Sequence, residues 1–126
     1  LLFSAMTMDQ NPNERDYFLK KVNELSIIHL ELLRLADNGP KALREKGLDV
    51  EKAMNLDIKD FVDYYLKGID LEVIMAAHKD LYSQGFFKTN SDVYNIMGVS
   101  KGKDYFINIL TPMGKKFVAA CIPKSD

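Results

Sequence analysis

Apolar positions along the chain fall into helical stripes as far as residue 85 and change period after it. A polar loop, Asp9-Gln10-Asn11-Pro12-Asn13, precedes a helix predicted over about 14–25. Phe18, Val22 and Leu25 make its stripe, spaced four and three apart. Ser26 can cap a second helix over 27–37, because its hydroxyl can accept from the free N–H groups of the next turn. Ile28, Leu32 and Leu35 form that stripe, widened by Ile27, Leu30 and Leu33. Asp37-Asn38-Gly39-Pro40 should stop it, with Asn or Gly in a left-handed position and Pro unable to continue the ladder. A short helical stretch over 41–46 closes at Gly47, and residues 48–56 fit no single period. Ile58, Phe61, Val62, Tyr65 and Leu66 then mark an amphipathic helix near 57–67, capped by Asp57 and ended by Gly68. Asp70 caps the next, near 70–84, whose stripe holds Leu71, Ile74, Met75, His78, Leu81 and Tyr82.

Beyond Gly85, residues 93–97 and 104–110 are rich in β-branched and aromatic side chains, and 98–103 connects them as a hairpin turn would. Thr111-Pro112 opens a last helix over 112–121, with a capping hydroxyl before a proline that needs no N–H. At the other end, Leu1-Leu2-Phe3-Ser4-Ala5-Met6 has no basic stretch before its apolar residues, as a signal peptide would. It reads as the last turns of a helix, so the chain is expected to be a fragment of a longer protein. The expected class is mainly α with a small antiparallel β-hairpin, in one domain over 1–126: N-terminal helices over 1–47, then a module over 48–126.

The order of elements in 57–122 resembles a winged-helix module. The matching segments are Leu81-Tyr82-Ser83-Gln84-Gly85-Phe86-Phe87, where helix turns into strand, and Phe106-Ile107-Asn108-Ile109-Leu110-Thr111-Pro112-Met113-Gly114. The Leu-Thr-Pro-x-Gly step resembles the same junction in MarR-type regulators. In that family the second helix of the pair enters a DNA groove and the wing touches the backbone, although many winged helices bind protein instead. More of the chain resembles the C-terminal half of the Abi-alpha family: Leu1 to Met6, Leu25-Ser26, His29 to Leu33, and Leu110 to Cys121. The polar stretch Asn11-Pro12-Asn13-Glu14-Arg15 departs from that pattern. The resemblance implies a cytoplasmic, phage-defence-related protein without an established biochemical activity.

Charge separates the two uses of a winged helix. The chain is near neutral, at a net −1, so the strongly basic balance of many nucleic-acid binders is missing. Residues 48–85 are acidic: Lys52, Lys59, Lys67 and Lys79 stand against Asp49, Glu51, Asp57, Asp60, Asp63, Asp70, Glu72 and Asp80. No arginine there can read a guanine edge. Residues 86–126 carry an excess of lysine, and Lys88, Lys101 and Lys103 are the candidate backbone contacts. Phe86, Phe87 and Tyr94 become a protein-contact patch if they are exposed. A protein partner or self-association is therefore expected, with DNA as the weaker alternative.

Catalytic and metal chemistry find little support. Two histidines and one cysteine do not make a zinc site, and His78 lies on an apolar stripe. Asp57, Asp60 and Asp63 read as a cap and a solvated face. Gly98-Val99-Ser100-Lys101-Gly102 matches the nucleophile-elbow spacing, but a strand is expected after it and no histidine follows. Cys121 is placed as a core filler. No cofactor, enzymatic activity or membrane span is expected, since no apolar run approaches the roughly 20 residues a span needs.

Overall fold

A computed structural model describes residues 11–91, Tyr94, Phe106 and residues 108–122. Seven helices run through the described residues: α1 (Pro12–Glu24), α2 (Ile27–Asp37), α3 (Gly39–Glu45), α4 (Val50–Met54), α5 (Ile58–Tyr65), α6 (Leu71–Ser83) and α7 (Pro112–Cys121). Each of the seven opens on a side chain that satisfies a free N–H, which is why the breaks fall where they do. Ser26, Asp57, Asp70 and Thr111 cap as the sequence predicts. Asn11 also caps, its Oδ1 accepting from Asn13 N at 2.8 Å, so α1 starts at Pro12 rather than at 14. Asp49 caps a helix in the stretch that fits no single period.

Asn38 does more than stop a helix. Its backbone is extended, not left-handed (φ −156°, ψ 90°). Its N–H donates to Arg34 O at 3.1 Å and closes α2, while its Oδ1 accepts from Lys41 N at 3.2 Å and opens α3. Gly39 and Pro40 therefore begin a helix instead of ending one; Pro is harmless in a first turn. The left-handed positions are Gly47, Gly68 and Gly85, at φ 73°, 89° and 83°.

The core is built around α2, which packs on α3, α6 and α7. Leu32, Leu33, Leu35, Leu43, Val62, Ile74 and Leu81 are sealed inside. Aromatic rings join the first helix to the last: Phe18 meets Phe117 edge to face at 5.6 Å, and Phe86 stacks on Phe117 at 4.5 Å. No described helix is long and apolar enough to cross a membrane.

After α6 the chain turns back across α7. Phe86 N–H and Phe87 N–H both reach Leu81 O. Lys88 N–H donates to Ile109 O at 2.8 Å and Thr111 N–H to Phe86 O at 3.0 Å, around an isolated antiparallel bridge between Phe87 and Leu110. No longer strand occurs among the described residues, and most of the expected hairpin (93–97, 98–103, 104–110) lies outside them. Where those spans are described, the expectation of extended backbone fails. Tyr94 sits in a 3₁₀ turn, Phe106 is helical and Asn108 is in a turn. Their apolar run reflects burial: Phe106, Ile109 and Leu110 are core residues, and a short buried run does not distinguish strand from helix. The N-terminal helix end expected over 1–6 also lies outside the described residues.

Candidate functional site

Of the candidate basic contacts, Lys88 is exposed, and Lys101 and Lys103 lie outside the described residues. The aromatic patch is corrected: Phe86, Phe87 and Tyr94 are all buried, at 0%, 1% and 2% exposure. Phe86 is held by the Phe117 stack. Phe87 and Tyr94 are held by a histidine (His78–Phe87 4.9 Å, His78–Tyr94 5.2 Å). Their rings close the core beneath the α6–α7 crossing, so they offer no surface to a partner.

His78 is the one fully buried polar residue among those described. Its Nε2 lies 3.0 Å from Thr89 O and its Nδ1 2.9 Å from the Tyr94 hydroxyl. A carbonyl only accepts, so Nε2 carries the proton and Nδ1 accepts from the Tyr94 O–H. Burial lowers the imidazole to about 4, partly offset by the Thr89 carbonyl. The sequence placed His78 on the apolar face but gave no sign of its partners, which come from the irregular segment after α6.

A Ser–His–Asp arrangement emerges at the junction of α2 and α6. Ser26 Oγ lies 2.7 Å from His29 Nδ1, and His29 Nε2 lies 2.9 Å from Asp80 Oδ2. Ser26 N–H also donates to Nδ1 at 3.1 Å. Nδ1 is thus the acceptor and Nε2–H donates to the carboxylate. Ser26 and His29 form a capping box with histidine in the third helical position, and the His29–Asp80 bond ties the start of α2 to the end of α6. The Ser26-x-x-His29 spacing was visible in the sequence; Asp80, 51 residues on, was not. Replacing Ser26 with alanine removes both bonds from its hydroxyl. We expect a loss of about 1 kcal/mol, read as a lower urea midpoint with an unchanged slope.

A second junction lies across α2, α3 and α5. The Tyr65 hydroxyl donates to Glu31 Oε2 at 2.8 Å, and Lys46 Nζ lies 3.1 Å from the same oxygen. Lys46 also donates to Tyr65 O at 2.8 Å and covers the Tyr65 ring at 3.9 Å. Burial first, and the Glu31 carboxylate second, raise the Tyr65 phenol far above its ordinary value. Asp57 spends one oxygen on the Asp60 N–H. No group of three or more metal-ligating side chains occurs among the described residues. Cys121 is buried, which pushes its thiol up to about 12; it is a filler, not an available nucleophile.

Two surfaces remain. The outer face of α6, the helix in the recognition position of the winged-helix resemblance, exposes Glu72, Val73, Ala76, Lys79, Asp80 and Ser83, with Tyr82 at its margin. It carries two carboxylates, one ammonium and two apolar side chains, and Asp70 caps its entry. The other is an open groove of about 310 Å³ between α1 and α7, lined by Glu14, Tyr17, Phe18, Pro112, Met113 and Lys116. Glu14 and Lys116 pair across it at 3.3 Å. No family model, curated protein or solved structure matches the chain.

Proposed function

We propose that this domain is a non-enzymatic interaction or regulatory module of an Abi-alpha-like, phage-defence-related cytoplasmic protein, and that its partner is a protein or a second copy. The outer face of α6 carries this reading. Asp80 and Glu72 outnumber Lys79 there, and Val73 and Ala76 lie between them. A phosphate backbone gains nothing from such a face, because DNA affinity comes largely from cations that displace counterions. Protein surfaces tolerate it, since interfaces mix apolar contacts with a polar rim. The Ser26 hydroxyl is committed to its cap, which supports a structural role for the Ser26–His29–Asp80 set.

A winged-helix DNA-binding regulator is the second reading. It is favoured by the succession of α5, α6, the Phe87–Leu110 bridge and α7. It would rest on Lys88, Lys101 and Lys103 for backbone contact. A mobility-shift assay at physiological salt separates the two. We expect weak, non-specific binding that vanishes with added salt and weakens further in Lys88→Glu. Sub-micromolar, sequence-selective binding would establish the regulator instead.

A further inference from the structure

The groove between α1 and α7 has one wall made by Tyr17 and Phe18 and the other by Pro112 and Met113. Phe18 is part of the core, but Tyr17 is 41% exposed. The Glu14–Lys116 pair satisfies the two charges at the rim, so what remains to be covered is mainly apolar. Residues 1–8 are Leu-Leu-Phe-Ser-Ala-Met-Thr-Met, eight residues without a charged side chain. They are joined through Asp9 and Gln10 to the Asn11 cap of α1, at the groove's own end.

We infer that the groove is the docking site for residues 1–8 of the same chain, seated through Phe3, Met6 and Met8. Tyr17 lies six residues into α1 from Asn11, about 9 Å along the axis. Met8, three residues before Asn11, can span up to about 10 Å; Met6 and Phe3 reach further. All three can therefore enter the groove once the chain reverses at Asp9–Asn11, a stretch suited to a turn. Tethering decides the occupant. A segment held on so short a linker faces the groove at an effective concentration of about millimolar, which a free partner must exceed. Methionine suits an irregular wall, because its unbranched side chain adapts to the shape offered. The docked segment would continue the Phe18–Phe117 seam outward over α1 and α7. This inference stands apart from the α6 face and does not depend on the nature of the partner there.

Thermal melting of four full-length chains tests it: the parent, Phe3→Ser/Met6→Ser/Met8→Ser, Tyr17→Lys, and the combination. We expect the triple substitution to lower Tm by about 5–10 °C. Tyr17→Lys should lower it by several degrees in the parent and by almost nothing in the triple background, since the two then remove the same contact. Additive shifts, or a triple variant that melts with the parent, overturn the inference. A photo-crosslinking benzophenone at position 17 supplies the geometry, in a mixture of ¹⁴N- and ¹⁵N-labelled chains. Cross-links to residues 1–8 within a single isotope are expected. Mixed-isotope products would assign the groove to a second copy, and products elsewhere would leave residues 1–8 out of it; either result overturns the inference.

Discussion

Gly114→Ala is expected to destabilise the domain by about 3 kcal/mol, the upper end of ordinary overpacking costs. A Cβ at this position would press on the Phe86 carbonyl oxygen, well inside contact distance, and on Leu110 Cδ2 at 3.2 Å. The Phe86 oxygen has little freedom to retreat, because it accepts from Thr111 N–H at 3.0 Å. Thr111 in turn caps α7, accepting from Gly114 N–H at 2.9 Å, and its hydroxyl donates to Gly85 O. One methyl group therefore sets the first turn of α7 against the chain that follows α6. Gly47→Ala is the contrasting variant. Nothing lies within 4 Å of its Cβ position, but φ is +73°. Its cost is the left-handed backbone alone, about 1 kcal/mol. Equilibrium urea unfolding of both variants should rank Gly114→Ala clearly the worse.

Acid should unfold the protein through His78. The unfolded imidazole takes up its proton near 6.5 and the buried one only near 4. Between those values the unfolded chain binds more protons, so stability falls as pH falls through that window. The His78 contribution is fully present above about pH 6.5. A full separation of the two values corresponds to about 3 kcal/mol lost by the time pH passes below 4. Protonation would turn Nδ1 from acceptor into donor and set it against the Tyr94 O–H, forcing that hydroxyl to turn away. His78→Gln should start less stable at pH 7 but lose less between pH 7 and 4, because its amide does not titrate. Unfolding free energies measured across that range check this: parallel curves for parent and variant would show that His78 does not govern the acid limb.

What the sequence made legible and what it did not follow a physical line. The caps at Ser26, Asp57, Asp70 and Thr111 could be read because they act within three residues of themselves, and the stripes of α1, α2, α5, α6 and α7 because a helix repeats. Asn38 was half legible. Its role in stopping α2 follows from residue type, but its second bond depends on a backbone angle. The region after Gly85 was misread where it is described. Phe106 and Tyr94 have the composition of strand residues, yet they are fixed by a buried histidine and by Phe61, whose ring lies 5.7 Å from that of Phe106. Nothing local reports such partners. The same holds for Phe86 and Phe87, offered by the sequence as surface and taken by the Phe117 and His78 rings. His29 and Asp80 meet only because α2 and α6 pack together.

The pairing of α1 with α7 also bears on how the domain is made. Phe18 leaves the ribosome early and waits for Phe117, which is added about 5–20 s later at ordinary elongation rates. Until then the edge-to-face contact of Phe18 with Phe117 and the stack of Phe86 on Phe117 have no second ring. Neighbouring pairs such as α2 with α3 and α4 with α5 can form as they emerge, but the seam joining the two ends must close last. A nascent chain halted before α7 therefore presents Phe18 and Phe86 to its surroundings, and that is the interval in which a chaperone, or another nascent copy, would find them.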